Sequence, residues 1–204
     1  SLTNKDGFFE ALKKAVVTGD LNVEITSDIA EKGEFALERY TTEGGAWGIT
    51  IYPTGNYKLF GDNFPALVEL SDADRVTIDG RINKTGNQIG LTIENRGISG
   101  ATVWLNRSTT SNANGAKNNT IKYCRIIAGS PTTNNSYGIV ISGKLSLDGE
   151  AAGNDGNTIE HNEIYRAYHG IKVSGGVDIG GYTQSLLIRN NNFGNNATVG
   201  DGLY

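Results

Sequence analysis

The chain has 204 residues, 37% hydrophobic and 20% charged, with a formal net charge of −4; it is long enough to bury a sizeable core, and its scattered Lys and Arg leave no basic footprint for nucleic acid. Glycine (28) and asparagine (22) far outnumber proline (3), a balance that asks for many turns with positive φ and, lacking a three-residue Gly period, excludes collagen. No apolar run approaches the roughly 20 residues of a membrane span, and the single cysteine, Cys124, cannot form an internal disulfide.

One segment reads as a helix. In TNKDGFFEALKKAVVTGD, Thr3 and Asp6 have the spacing of a capping box. Phe8, Phe9, Leu12, Ala15 and Val16 then follow an i, i+3, i+4, i+7 stripe, with Lys13 and Lys14 suited to the carboxyl end and Gly19 placed as terminator. The spacing predicts a helix from about Asp6 to Val17, within a capping segment 1–20. Without an initiating Met or a secretory pattern, the amino terminus is expected to be a processed end or an artificial boundary.

Everything afterwards is short β-type runs separated by Gly, Asn, Asp, Ser and Thr. These runs repeat. TIKYCRI (Thr120 to Ile126), TIEHNEI (Thr158 to Ile164) and LLIRNNNF (Leu186 to Phe193) each place two apolar residues five positions apart: Ile121 with Ile126, Ile159 with Ile164, Ile188 with Phe193. A third run follows each: YGIVISG (Tyr137 to Gly143), HGIKVSG (His169 to Gly175) and the terminal DGLY (Asp201 to Tyr204). Upstream, ITIYP and VTIDG fill the first slot, YKLF and LTIEN the second, ALVEL and ATVWL the third. The first-slot residues Ile51, Ile78, Ile121, Ile159 and Ile188 are 27, 43, 38 and 29 residues apart. A three-strand turn needs roughly 20 to 30 residues, and the excess falls in polar stretches that read as loops.

Short strands, uneven loops and equivalent apolar slots predict an all-β fold: a right-handed parallel β-helix of about five turns with three strands per turn. The chain is read as a single domain, 1–204, with turns over 21–204 and the amino-terminal helix covering one mouth. A β-propeller fits less well, because its blades need four-stranded antiparallel meanders. The last strand stops at Tyr204, so the chain is expected to be the amino-proximal portion of a longer coil, its terminal turn (Phe193, Leu203) frayed or paired end to end with another molecule.

The rhythm NTI-x-x-N-x-I…GI-x-V in Asn157 to Val173 resembles the pectate-lyase-type β-helix repeat, and ITIYPTGNYKLFG…ALVELSDADRVTIDG resembles large secreted bacterial surface proteins that carry it. The resemblance covers about residues 47 to 204. It implies a secreted or cell-surface setting, but the repeat is shared by lyases, hydrolases, epimerases, adhesins and phage tailspikes, so fold alone does not assign activity. The hydrolase motifs of the family (Asn-Thr-Asp, paired Asp, Gly-His-Gly) have no counterpart, and no catalytic residue is assigned.

Exposed first-strand positions Asp79, Lys122, Glu160 and Arg189 alternate in charge along the coil, which reads as a surface ion-pair ladder. In the third strand, alternation turns Glu69, Trp104, Val140 and Lys172 outward. An outward Trp is a platform on which a sugar ring or partner protein stacks, unless the loop 106–118 folds over it as a satellite core. Tyr165, Arg166, Tyr168 and His169 in YRAYHG are candidates to grip a glycan, against simple packing between turns. Asp148, Glu150 and Asp155 in one Gly-rich loop, with Asp178 in the next, are candidate Ca²⁺ ligands, against a solvated acidic loop; no other cofactor is implied. Cys124 aligns with Asn162 and Asn191 and reads as part of a turn stack rather than a nucleophile. The leading functional reading is a non-catalytic adhesion or carbohydrate-binding module. Its alternatives are a fragment of a polysaccharide lyase or glycoside hydrolase, and a structural subunit that assembles end to end.

Overall fold

A computed structural model describes residues 1–110, 113–144, 146–147, 149, 153–175 and 183–194. Among the described residues the chain forms one short two-stranded parallel sheet and three longer parallel sheets, and the strands of the three longer sheets recur in rotation along the chain. The first sheet contains Leu21–Ile25, Ile49–Pro53, Val76–Asp79, Thr120–Lys122, Thr158–Glu160 and Leu187–Arg189. The second contains Ile29–Ala30, Tyr57–Gly61, Leu91–Asn95, Cys124–Ile127, Glu163–Tyr165 and Asn192–Phe193; the third contains Leu37–Glu38, Ala66–Ser71, Gly100–Arg107, Ser136–Gly143 and His169–Val173. This all-β, parallel, three-sheet order is compatible with a parallel β-helix.

The register follows the predicted slots. Val23, Ile51, Ile78, Ile121, Ile159 and Ile188 align along the first sheet. Ile29, Leu59, Ile93, Ile126, Ile164 and Phe193 align along the second. Val68, Val103, Ile139 and Ile171 align along the third. The central members of these columns are fully buried in one apolar cluster. In-register β-branched side chains explain this arrangement: stacked on parallel strands they fill a core layer by layer, and a one-residue slip would turn each strand's apolar set outward.

The amino-terminal prediction is corrected in two respects. The helix spans only Phe8–Leu12, and Val16–Val17 is instead a strand paired with Thr41–Thr42. Phe9 and Leu12 are buried in the core cluster as the stripe requires, but Val16 is 53% exposed. The expected capping box is also absent. Gly7 occupies the cap with no side-chain bond, while the Thr3 N–H and hydroxyl both donate to the buried Glu31 carboxylate (2.9 and 2.8 Å), joined by Leu2 N–H at 2.6 Å. A buried carboxylate with several orphan donors in reach outcompetes a local cap. The strands from Leu21 to Glu38 also make up a complete set upstream of the first slot recognised at Ile49. Residues 201–204, the proposed last strand, lie outside the described residues.

Corners between strands are built from asparagine. The Asn162 side chain accepts from Cys124 N–H (2.9 Å), donates to Ile121 O (2.9 Å) and meets Asn191, whose own amide donates to Ile159 O. Asn119 and Asn157 repeat the pattern at another corner, linking Val76 N–H, Ala73 O and Ala116 O. Each side chain satisfies backbone groups that a turn in a buried corner would otherwise orphan. Cys124 is fully buried at the start of the Asn162 ladder, as its alignment predicts, and burial pushes its thiol well above the ordinary range. A Cβ on Gly80, one turn earlier, would collide with the Tyr123 carbonyl, so only glycine fits there.

Candidate functional site

The outer face of the first sheet carries the predicted ladder, except that Asp79 is buried rather than exposed, covered by the cations that pair with it. Lys122 Nζ lies 3.4 Å from Asp79, and Arg189 lies 2.7 Å from Glu160. Arg81 adds a bidentate grip on Asp79 at 2.9 and 2.7 Å. Burial opposes ionisation of Asp79, yet the Arg81 hydrogen bonds and the Lys122 and Arg81 charges outweigh it and hold the carboxyl below its ordinary range. Such a group is a committed anion rather than a proton donor at neutral pH.

A column of planar groups beside this ladder escaped the sequence reading. Arg81 lies 4.9 Å over the Tyr123 ring, and Tyr123 stacks on His161 at 4.7 Å with the planes 1° apart. Asn190 continues the column 3.3 Å from His161 Nε2. Tyr123, His161 and Asn190 all adopt positive φ. The available signal was their position immediately before Cys124, Asn162 and Asn191. The stacking covers the ring faces, so this column holds neighbouring turns together.

The outer face of the third sheet is more open. Glu69, Trp104, Val140 and Lys172 stand in register, as the alternation predicts. Trp104 is nevertheless only 1% exposed, which corrects the expectation of a bare platform. It packs in a second apolar cluster with Tyr137, Val140 and Leu147, apart from the main core. Its indole N–H donates to Ser142 Oγ at 2.7 Å, and Lys144 Nζ sits 5.3 Å from its ring centroid. The side chain that covers it comes from the segment after Gly143, not from the loop 106–118. That loop is pinned elsewhere: the buried Asp72 carboxylate accepts from the Ser108 hydroxyl and from Gly115 N–H. A tryptophan on an outer face is too large an apolar area to leave bare when a neighbouring loop reaches it.

Tyr137 was not singled out from the sequence, because strict alternation turns it inward with Ile139. It joins the outer cluster instead, and the strand changes face at Gly138, where a Cβ would collide with Gly170 O. His169 stacks on Tyr137 at 5.1 Å, Tyr168 meets His169 edge-on at 4.8 Å, and Lys172 Nζ lies 5.3 Å over Tyr137. With Trp104, four of the six predicted residues are therefore brought together around one they did not include. The other two diverge: Tyr165 is buried on the second sheet beside Ile127, and Arg166 turns to Gly129 O (3.1 Å) and to Glu94 (3.9 Å).

Two cavities open on this third-sheet face, and Lys144, paired with Glu69, stands between them. One, of about 340 Å³, is walled by Phe64, Pro65, Leu147 and the rims of Trp104 and Tyr137; Phe64 is 72% exposed. The other, of about 390 Å³, is lined by Ser71, Ser108, Thr109 and Thr110 together with the charged Glu38, Arg39 and Asp72. Both volumes fall at the lower end of the roughly 300–1,000 Å³ range of small-ligand sites. The first lies toward the start of the third-sheet strands and the second just beyond their ends.

Of the candidate Ca²⁺ ligands, Asp148, Glu150 and Asp178 lie outside the described residues. Asp155 is half-buried, accepting from Gln184 N–H at 2.8 Å with Lys117 at 3.7 Å. Among the described residues, no group of three or more His, Cys, Asp or Glu is gathered as a metal site would need, and no helix is long and apolar enough to cross a membrane. Compared with protein-family models, curated proteins and solved structures, the chain matches none.

Proposed function

We propose that this chain is a non-catalytic carbohydrate-binding module of a secreted or cell-surface bacterial protein, built on a right-handed parallel β-helix of the pectate-lyase type. The handedness follows the strong preference of parallel crossover connections for the right-handed form. The observation that carries the binding reading is the pair of adjoining cavities on the third-sheet face, one with an aromatic wall and an exposed Phe64, the other lined by hydroxyl-bearing and charged side chains. Sugars have an apolar ring face and a polar rim, and that combination suits an aromatic wall beside a polar chamber.

The non-catalytic reading is supported by the state of the carboxylates. Glycoside hydrolysis uses an acid of raised pKa and a second, ionised carboxylate across the bond. On the first-sheet face Asp79 is lowered and Glu160 is paired with Arg189. On the third-sheet face Glu69 is paired with Lys144 and Asp72 is saturated by backbone and hydroxyl donors.

A glycan array probed with the intact chain tests the proposal. Retained glycans should bind the Phe64→Ala variant about tenfold or more weakly, as truncating a central aromatic contact does. Phe64 is exposed, so this change leaves the fold in place. Binding to no glycan, or binding indifferent to both Phe64→Ala and Lys144→Ala, overturns it.

A further inference from the structure

Resting on the carbohydrate reading, we infer that the ligand is an uncharged oligosaccharide of at least two sugar units, bound along the third-sheet strands and crossing over the Lys144–Glu69 pair. The direction comes from the placement of the cavities. Phe64 and Pro65 precede the strand Ala66–Ser71, whereas Ser71, Ser108 and Thr109 lie at or beyond the ends of their strands. A ligand that fills both chambers therefore runs from one corner of a turn toward the next, across the stack of turns rather than down it.

The minimum length comes from the barrier. Lys144 lines both cavities, and its ammonium is held by Glu69, whose other donor is the Asn106 amide at 2.7 Å. This bar separates the apolar chamber from the hydroxyl chamber, so a single ring occupies one or the other. A second unit reaches the far chamber with no further loss of overall translational freedom, which is the source of the affinity gain from linked binding events.

The absence of charge on the ligand comes from the state of the ionic groups. Lys144 is committed to Glu69, and Glu38 to Lys13 at 2.7 Å. Asp72 accepts from Ser108 and Gly115. Glu38 and Asp72 line the groove against Arg39 and Lys144, with Glu38 paired to Lys13 and Lys144 to Glu69, so its charges balance and leave no surplus of positive charge to draw a uronate or a sulfate ester. The exposed Thr109 and Thr110 side chains suit the hydroxyls of an uncharged sugar, each of which both donates and accepts.

Isothermal titration of the full chain with neutral gluco- and manno-oligosaccharides of one to six units, and with oligogalacturonates of the same lengths, tests the inference. For a neutral series, affinity is expected to rise about tenfold or more from one unit to two or three and then to level off. Phe64→Ala and Thr109→Ala should each weaken the longer ligands, and each should flatten the rise with length. Tighter binding of oligogalacturonates, or equal binding of one unit and three, overturns the inference while leaving a carbohydrate module in place. If no sugar of either class binds, and the glycan array is also blank, the carbohydrate reading itself fails and takes this inference with it.

Discussion

Replacing Ile159 by alanine probes the stack on which the fold depends. Ile159 is 0% exposed and lies in register between Ile121 and Ile188. The change removes three carbon groups, each worth about 0.8 kcal/mol on transfer from water. The void they leave, on the order of 80 Å³, adds about 2 kcal/mol at roughly 24 cal/mol per Å³. Ile188 is only half-buried, so the last described turn can settle toward the gap and recover part of that. The expected loss is about 3–4 kcal/mol, within the range seen for large-to-small core changes. Glu160→Ala is the matched control on the same strand: its partly exposed pair with Arg189 is worth under about 1 kcal/mol. Urea unfolding followed by circular dichroism should show Ile159→Ala with a lowered midpoint at an unchanged slope. In a thermal scan the same loss corresponds to roughly 2–4 °C per kcal/mol for a chain of this size. An Ile159→Ala cost within about 1 kcal/mol of the Glu160→Ala cost refutes the buried register, because a core position cannot tolerate the loss of three carbons that cheaply.

Asn162→Ala strands the Cys124 N–H and the Ile121 carbonyl in a buried corner; the expected cost is about 2–4 kcal/mol, and a loss below 1 kcal/mol in urea melts would deny the ladder its role. Asp79 titrates in the folded chain below its ordinary value of 3.8, so its stabilising contribution is complete above that value and is lost as pH falls through the lowered one. Asp79→Asn should accordingly be less stable at neutral pH and show a shallower acid limb; identical pH profiles would contradict the assignment. In a Trp47→Phe background, acrylamide should barely quench Trp104, and efficient quenching would show that its cover is not in place. Cys124 should resist alkylation in the native chain and react on unfolding, because burial suppresses the thiolate.

The core columns were legible because their information is periodic. Ile121, Ile159 and Ile188 recur at one phase of a short strand, and parallel pairing converts that phase into contact. The ladder Asp79, Lys122, Glu160, Arg189 was legible for the same reason, being the next residue along each strand. The turns before Ile49 were less so, since Ile29–Ala30 and Leu37–Glu38 are two-residue strands with too few positions to show alternation. The helix was over-extended because its stripe and the β-branched Val16–Val17 suit either state, and Thr41–Thr42 supplied the strand partner that decided it.

The sequence by itself determined which residues stack on which, and hence the parallel three-sheet order, because strand phase and slot spacing are local properties that pairing merely repeats. Only the tertiary structure decided what covers the outside of that stack. Trp104 points outward by phase yet is sealed by Leu147 and capped by Lys144, and Tyr137 crosses to the same face at Gly138. The cavities on either side of the Lys144–Glu69 pair depend on segments 37 to 75 residues apart meeting over one sheet face. Loop closure of that kind is set by the apolar area and hydrogen bonds found at the end of the path, and no period in the sequence records it.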